Sequence, residues 1–251
     1  MHNDGSLAVP EELLDIWHRF DAVPVETLTK AWWSHESGGF RQRTVDEMVA
    51  HRAAYATGGN CFDLAIWLLD ALRRGGIAAE AVGHDWFGPG AHIAVTASLG
   101  GERYLCDLGD QWISPIRIPK PGQQSDVIDN AFPGARVRLT AVAAGVEVTY
   151  YRPTGKTSHQ WYDMTIPPED DLLAAANFSQ RLVRDPLCEM RIAEAGEIRH
   201  WEYSGGRSFW STSRGLEVEP PCSSRAEWCE RIHARTGIAL SIVSTALEIY
   251  G

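Results

Sequence analysis

Cys61 closes the run Gly58-Gly59-Asn60-Cys61 and opens an apolar segment, while His92 and Asp107 flank the two-glycine step Gly100-Gly101. These are the residue types of a nucleophile, a base and a group that orients the base. A thiol at a helix start has its thiolate favoured by unpaired N–H groups and by the positive end of the dipole. A carboxylate on one nitrogen of an imidazole fixes the tautomer and leaves the other nitrogen to take the thiol's proton. The pattern is that of a cysteine-nucleophile enzyme.

The elements that position these residues are legible in part. With Gly100 and Gly101 as the central residues of a hairpin turn, Leu99 pairs with Glu102. Carried outward, the ladder sets Ala94 opposite Asp107 and His92 opposite Gly109. His92 and Asp107 then share one sheet face as diagonal neighbours, roughly 7–8 Å apart along the backbone. A slip of one residue would separate them to opposite faces. Leu64, Leu68 and Leu72 recur every four residues, with Phe62, Trp67 and Leu69 widening the stripe of a helix. Asn60 with Asp63 is a capping-box signature at its start, Arg73 and Arg74 fall in its last turn, and Gly75-Gly76 ends it. Cys61 therefore stands at the first helical position, where the two glycines before it allow a close approach of backbone and substrate.

Further helices are predicted over Glu11–Phe20, over Thr44–Ala56 and briefly near Trp32 and Trp33, with Val23–Leu28 as a connection. From Ala78 the period changes to two, giving strands over Ala78–Val82, Ile93–Leu99, Arg103–Leu108, Val137–Val142, Val146–Tyr151 and His159–Met164. A helix over Asp170–Asn177, strands over Cys188–Ile192 and Ile198–Tyr203 and a helix over Arg225–Thr236 complete the pattern. Helices followed by a run of antiparallel hairpins indicate an α+β protein.

At 251 residues and 44% hydrophobic composition the chain can bury a large core. Lys and Arg total 23 against 33 Asp and Glu, a net charge of -10 that argues against a nucleic-acid partner. The early acidic residues leave no signal-peptide stretch and no run reaches the length of a membrane span, so a cytoplasmic location without a membrane partner is expected. Five scattered cysteines, at 61, 106, 188, 222 and 229, suggest neither a disulfide framework nor a metal site. Among ten tryptophans, Trp17, Trp67 and Trp161 are read as core, whereas Trp112 follows the Asp107 strand and is expected to line a pocket.

Gly58-Gly59-Asn60-Cys61-Phe62-Asp63, Ala91-His92-Ile93-Ala94-Val95 and Tyr104-Leu105-Cys106-Asp107-Leu108-Gly109 together resemble the arylamine N-acetyltransferase family. The order Cys, His, Asp and the fifteen-residue step from His92 to Asp107 are similar to that family's. The resemblance implies a helical lobe holding Cys61 (1–82), an antiparallel β-barrel lobe holding His92 and Asp107 (83–168) and an α/β lid (169–251). It implies a ping-pong acyltransferase with no permanently bound cofactor. A thioester donor, acyl-CoA foremost, would load Cys61, and a small-molecule amine would take the acyl group. Asn60, Gly109 and Asp110 are the expected substrate contacts beside Trp112. Arg181 and Arg184, with Arg191, form the basic cluster expected to meet coenzyme phosphates.

The chain also departs from the family. The Arg usual before the Gly-Gly pair and the Glu usual after the cysteine are Thr57 and Asp63, so a supporting ion pair is expected to be absent. Asp110 stands where an aromatic residue usually does, which disfavours a plain arylamine and suits a cationic or polar acceptor. The same three catalytic residues also serve an amide synthase fed by an acyl carrier protein, or a hydrolase or transglutaminase-like enzyme. A non-catalytic binding protein, favoured by Thr57 and Asp110, is the third class.

Overall fold

The computed structural model describes residues 8–250 apart from residues 184 and 195. Helix α1 (Glu11–Trp17) runs into a 3-10 turn (His18–Phe20) and is followed by strand β1 (Val25–Glu26). Helices α2 (Leu28–Glu36), α3 (Val45–Tyr55) and α4 (Cys61–Arg74) complete the first part. Strands β2 (Ala78–His84), β3 (His92–Leu99), β4 (Glu102–Cys106) and β5 (Ile116–Arg117) come next. They are followed by β6 (Ile128–Phe132), β7 (Ala135–Val142), β8 (Gly145–Tyr151) and β9 (Thr157–Asp163). The last part holds α5 (Glu169–Ser179), then β10 (Cys188–Glu194), β11 (Glu197–Ser204), β12 (Arg207–Thr212) and β13 (Gly215–Val218), and finally α6 (Arg225–Thr236) and α7 (Leu240–Tyr250).

The architecture is α+β, with two antiparallel sheets. Eight strands in the order β5-β4-β3-β2-β9-β8-β7-β6 curl into a nearly closed barrel. The second sheet has the order β1-β10-β11-β12-β13. The division expected at residue 82 runs through β2, which pairs with β3 from Ala78↔Ser98 to His84↔His92. Among the described residues no helix is long and apolar enough to cross a membrane.

The leucine stripe of α4 explains its place. Phe62, Leu64, Leu68 and Leu72 are buried in one core with Leu13, Ile16 and Trp17 of α1 and with Val82, Ile93 and Val95 of the barrel. Each such side chain contributes about 1.5–3 kcal/mol through burial. A separate core lies beneath the second sheet, where Trp201, Tyr203 and Trp210 meet Leu28, Ile232, Ile242 and Val243. Trp161 is not core: it is 38% exposed, on the outer face of β9.

Strand β1 stands where the sequence suggests only a connection, because two residues are too few to show a period. It is held by pairing across the chain, Val25↔Glu189 and Glu26↔Cys188 on one side and a bridge from Val25 to Gly59 on the other. It thus stitches the second sheet to the loop that precedes Cys61. Replacing Leu68, which is 1% exposed, by Ala should cost about 2–5 kcal/mol. Urea unfolding checks this, and an unchanged midpoint would show that the α4 stripe does not carry the first core.

Candidate active site

Cys61 is the first residue of α4. The Asn60 side chain accepts from Asp63 N at 2.9 Å, and the Asp63 carboxylate accepts from Asn60 N at 3.1 Å, so the capping box is closed in both directions. Asn60 Nδ2 also donates to Ser179 Oγ at 3.0 Å, tying the cap to α5. The two glycines before it make room for the chain's own backbone and side chains. A Cβ on Gly58 would lie 1.8 Å from the carbonyl oxygen of Pro24, and one on Gly59 2.5 Å from the Asp63 carboxylate.

The β3–β4 register is the one the Gly-Gly turn requires, Leu99↔Glu102 through Val95↔Cys106. The strand stops at Cys106, two residues earlier than the alternation suggests, so Asp107 follows the last pair directly. Its carboxylate is fully buried. Asp107 Oδ2 is 2.8 Å from His92 Nε2 and accepts from the Tyr162 hydroxyl, while Oδ1 accepts from Asp110 N at 2.8 Å. This leaves Nδ1 of His92 for the thiol. Burial pulls the imidazole's pKa down, but the Asp107 charge and hydrogen bond, together with the hydrogen bond to Cys61, outweigh it and hold His92 well above its ordinary value. The place where Cys61 and His92 meet is Gly109: a Cβ there would stand 2.5 Å from Cys61 Cβ and 3.1 Å from His92 Cε1.

The expected absence of a supporting ion pair is overturned. Arg43, from the segment before α3, lies 3.3 Å from Asp63 Oδ2 with both side chains buried, and its Nη2 donates to Gly58 O at 2.6 Å. Gln42 adds a hydrogen bond to Asp63 Oδ1 at 2.7 Å. The guanidinium is supplied from a different point of the chain, which no local reading around Thr57 reveals.

A cavity of about 180 Å³ opens over the thiol. Asn60, Gly109 and Asp110 line it, joined by Glu26, Ser179 and Glu189, which carried no sequence signal because they come from other elements. Burial, then the Asp107 charge, pushes the Asp110 carboxyl up to about 6. The Tyr150 hydroxyl donates to it. Trp112 does not line this cavity: it is fully buried, and its indole donates to the Tyr150 hydroxyl at 2.9 Å. Arg181 is exposed and stands outside the cavity lining. Arg184 lies outside the described residues. Arg191 is not part of a surface cluster, since it is buried and donates to the carbonyls of Trp112 and Phe20. Two larger cavities adjoin the thiol cavity, one of about 600 Å³ that shares Asp185 with it and one of about 450 Å³ that shares Asp110 and Glu189.

No protein-family model matches the chain, and no curated protein matches it in sequence. Solved structures do match. The Mycobacterium marinum arylamine N-acetyltransferase in complex with CoA superposes with a TM-score of 0.73 at 15% identity, over 93% of this chain and 89% of that one. The fold is that of the arylamine N-acetyltransferases. The M. smegmatis arylamine N-acetyltransferase gives 0.73 at 17% identity, over 94% and 90% of the two chains. A Bacillus cereus arylamine N-acetyltransferase described as having a Cys-His-Glu triad gives 0.66 at 14% identity, over 92% of each chain.

Two substitutions probe this arrangement. Gly109→Ala should separate Cys61 from His92 and slow alkylation of the Cys61 thiol at least about tenfold while the chain stays folded, because the new methyl occupies their contact. Iodoacetamide labelling read by mass checks it, and an unchanged rate would place the contact elsewhere. Arg43→Ala leaves Asp63 buried and unpaired and should cost about 3–5 kcal/mol in urea unfolding. A loss below about 1 kcal/mol would mean that Gln42 and the cap suffice.

Proposed function

We propose that the chain is a cysteine-dependent acyltransferase that moves an acyl group from a thioester donor, acyl-CoA foremost, through Cys61 to an amine. The observation that carries this reading is His92 held between buried Asp107 and the Cys61 thiol, inside a small cavity. The arylamine N-acetyltransferase fold, and a neighbour of that fold solved with CoA, support thioester chemistry and the donor.

In the first half-reaction the Cys61 sulfur attacks the donor carbonyl as its proton passes to His92. The carbonyl oxygen gains negative charge, which the backbone N–H groups at the start of α4 and the helix dipole stabilise. Collapse breaks the bond to the donor sulfur, and the departing thiolate takes the proton from His92. In the second half-reaction an uncharged amine attacks the acyl-Cys61 carbonyl and gives up its proton to His92. The carbon–sulfur bond breaks and the Cys61 thiol is restored. Asp107 orients the ring and stabilises imidazolium in each half, and Tyr162 and Asp110 N hold Asp107 in place. Two larger cavities flanking the thiol cavity suit a donor and an acceptor that bind in turn.

Incubation with acetyl-CoA and longer acyl-CoA donors, read by intact mass, tests the proposal. One acyl group per chain is expected, absent in Cys61→Ala and discharged by an added amine with formation of its amide. A wild-type chain that gains no acyl mass from any donor refutes the mechanism. Discharge by water at the same rate with and without amine turns it into a hydrolase.

A further inference from the structure

Past Asp110 and Glu189 the thiol cavity adjoins one of about 450 Å³. One wall is a face of the second sheet. Glu189 on β10 pairs directly with Glu202 on β11, and His200, two residues earlier on β11, projects to the same face. Like charges set opposite one another in a sheet repel. No described residue donates a hydrogen bond to the Glu202 carboxylate. His200 is 4% exposed, and its Nε2 lies 2.9 Å from Glu189 Oε2 but out of alignment, so this buried nitrogen has no hydrogen-bond partner. One ligand atom from each of the three residues lies within 4.8 Å of the others.

We propose that Glu189, His200 and Glu202 bind the distal ammonium group of a diamine acceptor, whose other, uncharged amino group reaches the acyl-Cys61 thioester. The inference rests on the acyl-transfer reading and names its substrate class. A primary ammonium carries three N–H donors, and the two carboxylates present acceptor oxygens to them, with the His200 ring beside them. Burial, then the neighbouring Glu189 charge, pushes the Glu202 carboxyl up to about 7, with His200 and Arg152 acting in the opposite direction. A bound cation relieves that cost. The basic residues of this cavity, Arg152 and Lys156, come from the turn between β8 and β9, and the Arg152 guanidinium lies 5.5 Å from the Phe132 ring centroid. The acidic side is therefore the one continuous with the thiol cavity, through Glu189 and Asp110. That continuity favours a substrate ammonium over a resident metal ion. In the transfer itself the near amine forms the carbon–nitrogen bond, the carbon–sulfur bond breaks, and the amine proton passes through His92 to the Cys61 sulfur. The distal ammonium keeps its charge throughout.

Calorimetric titration of the wild-type chain with linear terminal diamines and length-matched monoamines tests the site directly. The best diamine should bind at least about tenfold tighter than its monoamine, the value of one charge-assisted hydrogen-bonded contact. Glu202→Gln, isosteric and neutral, should erase that preference, and Glu202→Asp should restore part of it. In acyl-enzyme discharge the diamine-to-monoamine ratio of kcat/KM should fall by the same factor in Glu202→Gln, through KM rather than kcat. Equal affinities for the two amines, or a preference that survives Glu202→Gln, overturns the proposal. So does binding of zinc or manganese that Glu202→Gln abolishes and that excludes the diamine. Failure of Cys61 to take up an acyl group refutes the transfer reading alone, because the titration reports on the ammonium site without it.

Discussion

A carboxylate with no exposure to solvent, Asp107, is the constraint around which the site is arranged. A buried charge is tolerated only when donors surround it. Here the donors come from three places: His92 on β3, Tyr162 on β9 and the backbone of Asp110 in the following turn. β2 lies between the strands that carry His92 and Tyr162, so barrel curvature is what lets one carboxylate serve both. The imidazole is fixed by the same bonds that make the burial of Asp107 affordable.

A second buried carboxylate does the corresponding work on the side of Cys61. Asp63 closes the cap around Cys61 and meets Arg43 and Gln42 from the segment before α3. Gly59 leaves room for that guanidinium, and Gly58 leaves room for the backbone entering β1. β1 in turn continues into the second sheet, so the thiol, the barrel and the second sheet meet at one short stretch of chain. The arrangement holds Cys61 against His92 with little freedom in the backbone, as the proposed acyl transfer demands.

Much of the fold was legible because its periods are long enough to read. The α4 stripe, the Asn60–Asp63 cap and the Thr44 start of α3 are local patterns, and the structure reproduces them with ends shifted by a residue or two. The pieces that were not legible are short or irregular. β5 and β1 have two residues each, β6 carries a register shift between Ile128 and Phe132, and α7 follows α6 with no clear cap in the sequence. Trp161 alternates like a core residue yet faces outward, because alternation defines two faces and not which of them is covered.

For the site, the sequence by itself determined the residue types, the helix start that carries Cys61 and the hairpin register that brings His92 to Asp107. Each rests on interactions between residues close along the chain, where turn and cap chemistry leave few alternatives. Tertiary structure alone decided that Cys61 and His92 touch at Gly109, that Arg43 replaces the ion pair missing at Thr57, and that Trp112 is core rather than pocket wall. It also decided that Glu189, His200 and Glu202 face the cavity beside the thiol. These are contacts between distant segments, set by how two sheets and a helical layer pack, and no spacing along the chain encodes them.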